Sequence, residues 1–151
     1  MRHFIIALML CLAFHAQAQM TTQQQMRSRQ TGSKSQFYDS TGKYSGASRT
    51  NGNTTTFYGA NGQQQGRAVT NGNTTRFYDS TGKYAGQSTT FGNTTRYYNA
   101  NGSSAGRSEQ NGNSTRYYDS TGKYAGKTEN SCGNTTRFYN ANGSSAGRST
   151  K

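Results

Sequence analysis

Histidine, cysteine and the acidic residues, which carry most enzyme chemistry, are scarce in this 151-residue chain. Both histidines, His3 and His15, lie in an N-terminal segment that we predict to be removed. The remaining chain would lack the usual general base and a common metal ligand, so Ser-His-Asp and Cys-His sites are excluded within it. We therefore predict a non-catalytic protein with no cofactor and no metal site.

Three of the five acidic residues recur at one position of a repeat. Asp39, Asp79 and Asp119 are each followed by the residues STGK. A paired-carboxylate site would need two converging acids in different environments. Aspartate at a turn accepts hydrogen bonds from the backbone that follows it. The pattern therefore favours a role in turns, with each carboxylate facing the next lysine, at 43, 83 or 123.

Aromatic rings beside cations are the chemistry that the sequence does offer. Tyrosine rings stack on sugars or bases, and guanidinium groups pair with anions. The alternative is a cross-strand ladder that only stabilises the sheet, by roughly 0.2–1 kcal/mol per pair. The candidate ligand-binding residues are Tyr78, Tyr84, Tyr98, Tyr118, Tyr124, Arg76, Arg96, Arg116 and Arg137.

The formal net charge of +12 narrows the class of partner. An exported cationic protein meets polyanions, such as lipopolysaccharide, acidic glycans, nucleic acid or anionic lipid headgroups. The charge also has a simpler explanation, which is that it keeps an aggregation-prone protein soluble. The sequence leaves both explanations open.

Export itself is predicted from the N-terminus. Arg2 precedes an apolar run of eleven residues, FIIALMLCLAF, and Ala16-Gln17-Ala18 forms a small-x-small cleavage site. We predict a signal peptide over 1–18 and a secreted protein, located extracellularly, at the cell surface or in the periplasm. The run is too short to span a bilayer, so no transmembrane segment is expected in the mature chain. Residues 19–32 are predicted to be a disordered, glutamine-rich lead-in.

Cys132 is the only cysteine beyond the predicted signal peptide. A disulfide framework within the chain is therefore excluded. Two interpretations remain, a free thiol and an intermolecular disulfide.

Tandem repeats organise residues 33–151. Adjacent aromatic pairs recur about every twenty residues, from Phe37-Tyr38 to Phe138-Tyr139, and Val69 is the only branched aliphatic residue beyond Ala18. Ten residues is the spacing of a strand plus a tight turn. We therefore predict an all-β domain of tandem antiparallel β-hairpins, two strands to each 20-residue repeat. The predicted turn glycines are Gly42, Gly52, Gly62, Gly72, Gly82, Gly92, Gly102, Gly112, Gly122, Gly133 and Gly143.

The residues before these glycines indicate the turn type. Thr81 and Phe91 do not readily adopt the positive φ that a two-residue Asn-Gly turn demands of its first position. A three-residue loop confines positive φ to the glycine. We therefore predict three-residue loops throughout, such as 80–82 and 90–92.

These loops imply a definite strand register. Tyr78 should face Tyr84, Phe77 should face Ala85, and Arg76 should face Gly86. Across the next turn, Ala85 should face Tyr97. The row that contains Phe37 should be the more buried face, because the other face keeps a tyrosine hydroxyl in every repeat. On that wetter face the four candidate arginines should alternate with Gly86, Gly106, Gly126 and Gly147.

The repeat spacing predicts the number of strands, but it does not predict how the sheet closes. About twelve antiparallel strands are expected, in a twisted meander, a spiral or a hairpin stack. Such a sheet could close on itself, spiral or fold into two layers. Open edges would allow pairing with another copy.

The segment GNTTRFYDSTGKY at 72–84 resembles the YD (Rhs-type) repeat family. Asn73, Thr75 and Arg76 fit the first part of that repeat, Tyr78-Asp79 its Tyr-Asp pair, and 82–84 its ending. The resemblance implies hairpin-repeat architecture and cell-surface adhesion, since six repeats are too few for the toxin-enclosing shells of that family. The repeat length and composition also resemble curli-type fibre subunits.

Three functional hypotheses result. The first is a secreted or cell-surface protein that binds envelope or extracellular polyanions or glycans through its Tyr/Arg face. The second is a self-assembling fibre or matrix subunit that propagates through open β-edges. The third is a YD module that accompanies a larger toxin system.

Overall fold

The computed structural model describes residues 33–131 and 134–151, and all regular structure in them is β-strand. The predicted signal peptide, the predicted lead-in, Cys132 and Gly133 lie outside the described residues. The described part of the chain contains no helix with the length and apolarity that a membrane crossing needs.

Twelve strands pair in sequence order, each antiparallel to the next, and β1 also pairs with β12. The prediction of tandem antiparallel hairpins is confirmed, and the sheet is a closed barrel. The strands are β1 Ser33–Tyr38, β2 Tyr44–Asn51, β3 Thr54–Gly59, β4 Gln64–Asn71, β5 Thr74–Asp79, β6 Tyr84–Phe91, β7 Thr94–Asn99, β8 Ser104–Asn111, β9 Ser114–Tyr118, β10 Tyr124–Asn130, β11 Thr135–Asn140 and β12 Ser145–Thr150.

One end of the barrel carries the predicted three-residue loops. In the loop at 80–82, the Asp79 amide donates to the Lys83 carbonyl at 2.9 Å, and the Gly82 amide donates to the Asp79 carbonyl at 3.1 Å. Positive φ falls on the glycine alone, at 85° for Gly82. This geometry is a type I turn closed by a glycine bulge. The same loop recurs at Gly42, Gly62, Gly102, Gly122 and Gly143.

The opposite end carries two-residue turns at Gly52, Gly72, Gly92 and Gly112, so the prediction of three-residue loops is wrong at these four positions. The predicted loop at Gly133 lies outside the described residues. Phe91 pairs directly with Thr94, which leaves only Gly92 and Asn93 in the turn. Gly92 has a φ of 55°, and within 33–131 and 134–151 no non-glycine residue has a positive φ. Glycine at the first central position is the arrangement of a type II′ turn. The signal that was missed is the asparagine after Gly52, Gly72, Gly92 and Gly112.

A β-bulge in each even-numbered strand corrects the predicted register. Tyr78 faces Tyr84 as predicted, but Phe77 pairs with Gly86, and Ala85 is the extra residue between them. Arg76 consequently pairs with Gln87 instead of Gly86. The shorter turn that follows shifts the register again, so Tyr97 pairs with Ser88 and not with Ala85. An unpaired bulge residue displaces every pairing beyond it by one.

The glycines within the strands lie on the buried face. The prediction that they alternate with the arginines on the wetter face is therefore wrong. Gly86 is buried and has a φ of 139°. A Cβ built on it would overlap the backbone carbonyl oxygen of Tyr98. Glycine is thus required because β6 and β7 approach closely there. Gly46, Gly66, Gly106, Gly126 and Gly147 repeat this approach around the barrel.

The barrel interior is lined by the aromatic row and by hydroxyl groups. Phe57, Tyr97, Tyr117 and Phe138 are 5–7% exposed, which confirms that this face is the more buried one. The Tyr97 hydroxyl contacts the Ser108 Oγ at 3.0 Å. Buried polar groups need such partners, and neighbouring strands supply them as side-chain pairs. Further hydroxyl pairs join Thr50 to Thr55, Thr70 to Thr75 and Thr90 to Thr95, at 2.9–3.0 Å.

The three aspartates accept hydrogen bonds from the turns that follow them, as the sequence predicts. Asp79 Oδ1 accepts hydrogen bonds from the Thr81 hydroxyl at 2.6 Å, the Thr81 amide at 2.9 Å and the Lys83 amide at 3.0 Å. The Thr81 hydroxyl is the main reason that the pKa of this carboxyl lies below its usual value. Asp39 and Asp119 repeat the arrangement.

Acid should therefore weaken the barrel through these turns. A carboxyl whose pKa is lower in the folded state stabilises it above the unfolded pKa, and this stabilisation is lost as the pH falls through the folded pKa. We expect the melting temperature of a D39N/D79N/D119N variant to fall less between neutral pH and pH 3 than that of the wild type. Asparagine is a suitable replacement because Asn99 and Asn140 hold the same position in alternate repeats. Equal pH dependence of the two proteins would contradict the expectation.

Candidate functional site

The outer face of the barrel carries a dense set of cations, which we call the cation belt. It comprises every lysine and arginine that lies within the twelve strands. Acidic residues on this face of the described strands are Glu109 and Glu129. The belt consists of Lys34, Arg49, Arg67, Arg76, Arg96, Arg107, Arg116, Lys127, Arg137 and Arg148.

Several belt cations stand directly opposite one another on paired strands. Like charges in such positions destabilise a sheet, since their Cβ atoms are only ~5 Å apart. The opposed pairs are Lys34 with Arg49, Arg96 with Arg107, Arg116 with Lys127, and Arg137 with Arg148. These opposed cations repel one another across the paired strands.

Two intramolecular ion pairs neutralise part of the belt. Arg107 Nε lies 3.0 Å from Glu109 Oε1, and Lys127 Nζ lies 2.6 Å from Glu129 Oε1. The hydrogen bond from Lys127 lowers the pKa of the Glu129 carboxyl, and it raises the pKa of the Lys127 amine. Both groups therefore stay charged at neutral pH. With two acids among ten strand cations, the belt keeps a large positive excess.

Four belt cations lie over tyrosine rings of the neighbouring strand. The distances from the cationic centre to the ring centroid are 4.9 Å for Arg67 on Tyr78 and 4.4 Å for Arg107 on Tyr118. They are 5.2 Å for Lys127 on Tyr139 and 5.0 Å for Arg148 on Tyr38. Such contacts contribute about 0.5–1 kcal/mol each at exposed sites. They also hold the cations in fixed positions along the tyrosine row.

These four cations are not among the binding residues predicted from the sequence. The predicted register placed the strand glycines beside the tyrosines, whereas the bulge brings the residue after each glycine there. Arg67, Arg107, Lys127 and Arg148 each follow a strand glycine. The adjacent Gly-Arg and Gly-Lys pairs were the available signal.

The predicted tyrosines lie on the outer face and form edge-to-face pairs. Tyr78 and Tyr84 have ring centroids 6.2 Å apart at 71°, and Tyr118 and Tyr124 have theirs 6.1 Å apart at 68°. Tyr84 is 37% exposed. Tyr98 differs from the others because Ser104, not a tyrosine, stands opposite it.

The predicted arginines reach the same face. Arg76, Arg96, Arg116 and Arg137 are exposed and lie on alternate strands, two residues before a tyrosine. Neighbouring members are about 9.6 Å apart, which is close to the Debye length at moderate salt. Arg137 also donates to the Ser131 Oγ at 2.7 Å. The structure thus brings all nine candidate residues to one surface, and it adds the four stacked cations.

Among the described residues, no cluster of three or more histidine, cysteine or acidic side chains could hold a metal ion. No family model matches the chain, and no curated protein matches it. The surface just described is therefore the basis on which its function is inferred.

Proposed function

We propose that this is a secreted or cell-surface, non-catalytic repeat protein that binds envelope or extracellular polyanions through the cation belt. Acidic glycans and lipopolysaccharide are the polyanions that fit such a location. The observation that carries the proposal is the set of cations that oppose one another on paired strands. A surface whose charge served solubility alone would gain nothing from placing like charges face to face.

The tyrosines extend this surface beyond simple charge. Aromatic rings provide flat apolar contacts for sugar rings, and guanidinium groups pair with carboxylates and sulfates through two parallel hydrogen bonds. In the belt both groups are interleaved on adjacent strands, as in the stack of Arg67 on Tyr78. Acidic glycans carry both matching groups, which are sugar rings for the tyrosines and carboxylates or sulfates for the arginines. The cell-surface adhesion that the YD resemblance implies agrees with this proposal.

Self-assembly through open edges has less support. Each strand of the barrel is paired on both sides, including β1 with β12. An edge that is already paired offers no template for a second copy. Fibre formation would require the barrel to open first.

Removing the predicted arginines tests the proposal. We expect R76Q/R96Q/R116Q/R137Q to bind a sulfated glycan polymer more weakly, because four sites of counterion release are lost. The slope of log affinity against log salt should fall in magnitude by about 3. The measurement is isothermal calorimetry at several salt concentrations.

A matched control removes the same charge elsewhere. K43Q/K83Q/K123Q/K151Q removes four cations from the turns and the C-terminal residue, outside the belt. Its slope should change much less than that of the arginine variant. Equal changes in both variants would show that net charge, and not the belt, drives binding.

A further inference from the structure

A recess of about 360 Å³ opens on the outer face where β7 and β8 meet the loop that follows β9. It exists because Ser104 stands opposite Tyr98. In the flanking hairpins a second tyrosine occupies that position, Tyr84 beside Tyr78 and Tyr124 beside Tyr118. The side chains that line the recess include Arg96, Tyr98, Ser104, Arg107, Asp119 and Ser120.

The recess contains one opposed pair of the cation belt. Arg96 and Arg107 face each other across β7 and β8. Arg107 is held in place from two sides, by the Tyr118 ring at 4.4 Å and by Glu109 at 3.0 Å. Arg96 is exposed. An anionic group between the two guanidinium groups would relieve their repulsion.

Asp119 makes the recess selective among anions. The Thr121 hydroxyl holds the pKa of the Asp119 carboxyl below its usual value, so this group is ionised at neutral pH. A bare inorganic anion gains nothing from it. A ligand that also carries hydroxyl groups can donate to this carboxylate and can exchange hydrogen bonds with Ser104 and Ser120. Tyr98, which faces Gln87 and not a cation on its other side, offers a contact for the apolar face of a ring.

We infer that the recess binds one acidic sugar unit of a polyanionic glycan. The carboxylate or sulfate pairs with Arg96 and Arg107, hydroxyl groups meet Asp119 and the serines, and the ring packs beside Tyr98. The inference rests on the proposed function and names the unit that is recognised.

The 40-residue repeat places the same residues at a second position. Four strands per unit give three units in the ring. Between β11, β12 and β1, Arg137 faces Arg148, Tyr139 faces Ser145, and Arg148 lies over Tyr38. The loop beside them contains Asp39 and Ser40, which correspond to Asp119 and Ser120. The same chemistry is therefore available at this second position, and a glycan that reaches both positions gains affinity through multivalency.

The third unit lacks the same chemistry. Between β3, β4 and β5, Thr56 faces Arg67, and the longer Gln64 faces Tyr58. One arginine is absent, and the serine that opens the recess is replaced. We expect no acidic-sugar site there.

Filling the two recesses tests the inference. The variant S104Y/S145Y installs the tyrosine that alternate hairpins already carry, and it changes no charge. The probe is a disaccharide of a uronic acid and an N-sulfated hexosamine, with inorganic sulfate for comparison. We expect the wild type to bind two disaccharides and to prefer them to sulfate. The variant should lose at least about tenfold in disaccharide affinity, a loss well resolved by calorimetry.

The outcomes separate the recess from the belt. If the wild type binds no sulfated polymer, the proposed function fails. If it binds the polymer but the variant keeps wild-type affinity for the disaccharide, or the wild type does not prefer the disaccharide to sulfate, the recess assignment fails. A second variant, R96Q/R137Q, covers the case in which the tyrosines disturb folding. It should lose disaccharide binding, whereas K83Q/K151Q, which removes two cations outside the belt and outside the recesses, should retain it. Equal binding by these two variants would also overturn the assignment.

Discussion

Replacing Gly86 by alanine is expected to destabilise the barrel much more than the same replacement at Gly82. Both glycines have positive φ, at 139° and 85°. They differ in their surroundings, because a Cβ on Gly86 would overlap the Tyr98 carbonyl oxygen and one on Gly82 would meet nothing within 4 Å. Backbone strain and overpacking together cost about 2–6 kcal/mol at Gly86. Left-handed strain alone costs roughly 1–2 kcal/mol at Gly82.

Urea unfolding followed by circular dichroism measures this difference. A typical domain has a total stability of about 5–15 kcal/mol, so a loss of this size at Gly86 is large enough to shift the unfolding midpoint clearly. Equal unfolding midpoints for G86A and G82A would show that β6 and β7 do not approach as closely as the structure has them. The pair thus tests the bulge and its glycine, which set the register of the barrel.

Deleting residues 145–151 is expected to make the chain self-associate. The deletion removes β12, which pairs with β11 on one side and with β1 on the other. Two edges with free amide and carbonyl groups would then be exposed, and such edges pair with other copies. The chain has no proline to interrupt that pairing. The full-length chain, with its ring closed, should not associate in this way.

Sedimentation velocity over a range of concentrations distinguishes the two forms. The control is R148Q/K151Q, which removes the two cations lost in the deletion but retains the strand. It should sediment like the wild type. Fibres formed by the full-length chain at equal concentration would contradict the prediction, and they would favour the self-assembly hypothesis.

Closure and ligand binding are related through the last strand. Arg148 lies on β12, opposite Arg137 and over Tyr38 of β1. The second proposed recess is therefore complete only when the ring is closed. Opening the barrel would remove that recess and leave the first, between β7 and β9, in place.

The candidate site could be predicted from the sequence in part. Alternation along each strand places Arg76 and Tyr78 on the same face, since period two needs no tertiary information. The stacked cations, such as Arg107 on Tyr118, could not be placed the same way. They depend on pairing between strands, and one bulge residue moves every partner beyond it by one position.

The turn types could also be predicted from the sequence only in part. Both kinds of turn place positive φ on glycine, and the ten-residue spacing alone does not separate them. The Asp79 loop was correctly predicted from Thr81 before its glycine, while Gly92-Asn93 required attention to the residue after the glycine. Three-residue and two-residue turns alternate from β1 to β10.

Spacing and composition alone were enough to establish an all-β chain of about twelve antiparallel strands, with an aromatic row inside and a Tyr/Arg row outside. Local pattern suffices for this, because hydrophobic alternation and turn glycines act over a few residues. Closure of the ring, the bulges and the recess beside Tyr98 were decided only by the tertiary structure. They depend on the twist of the sheet summed over twelve strands. They also depend on the pairing of β1 with β12, two strands that lie more than a hundred residues apart in the chain.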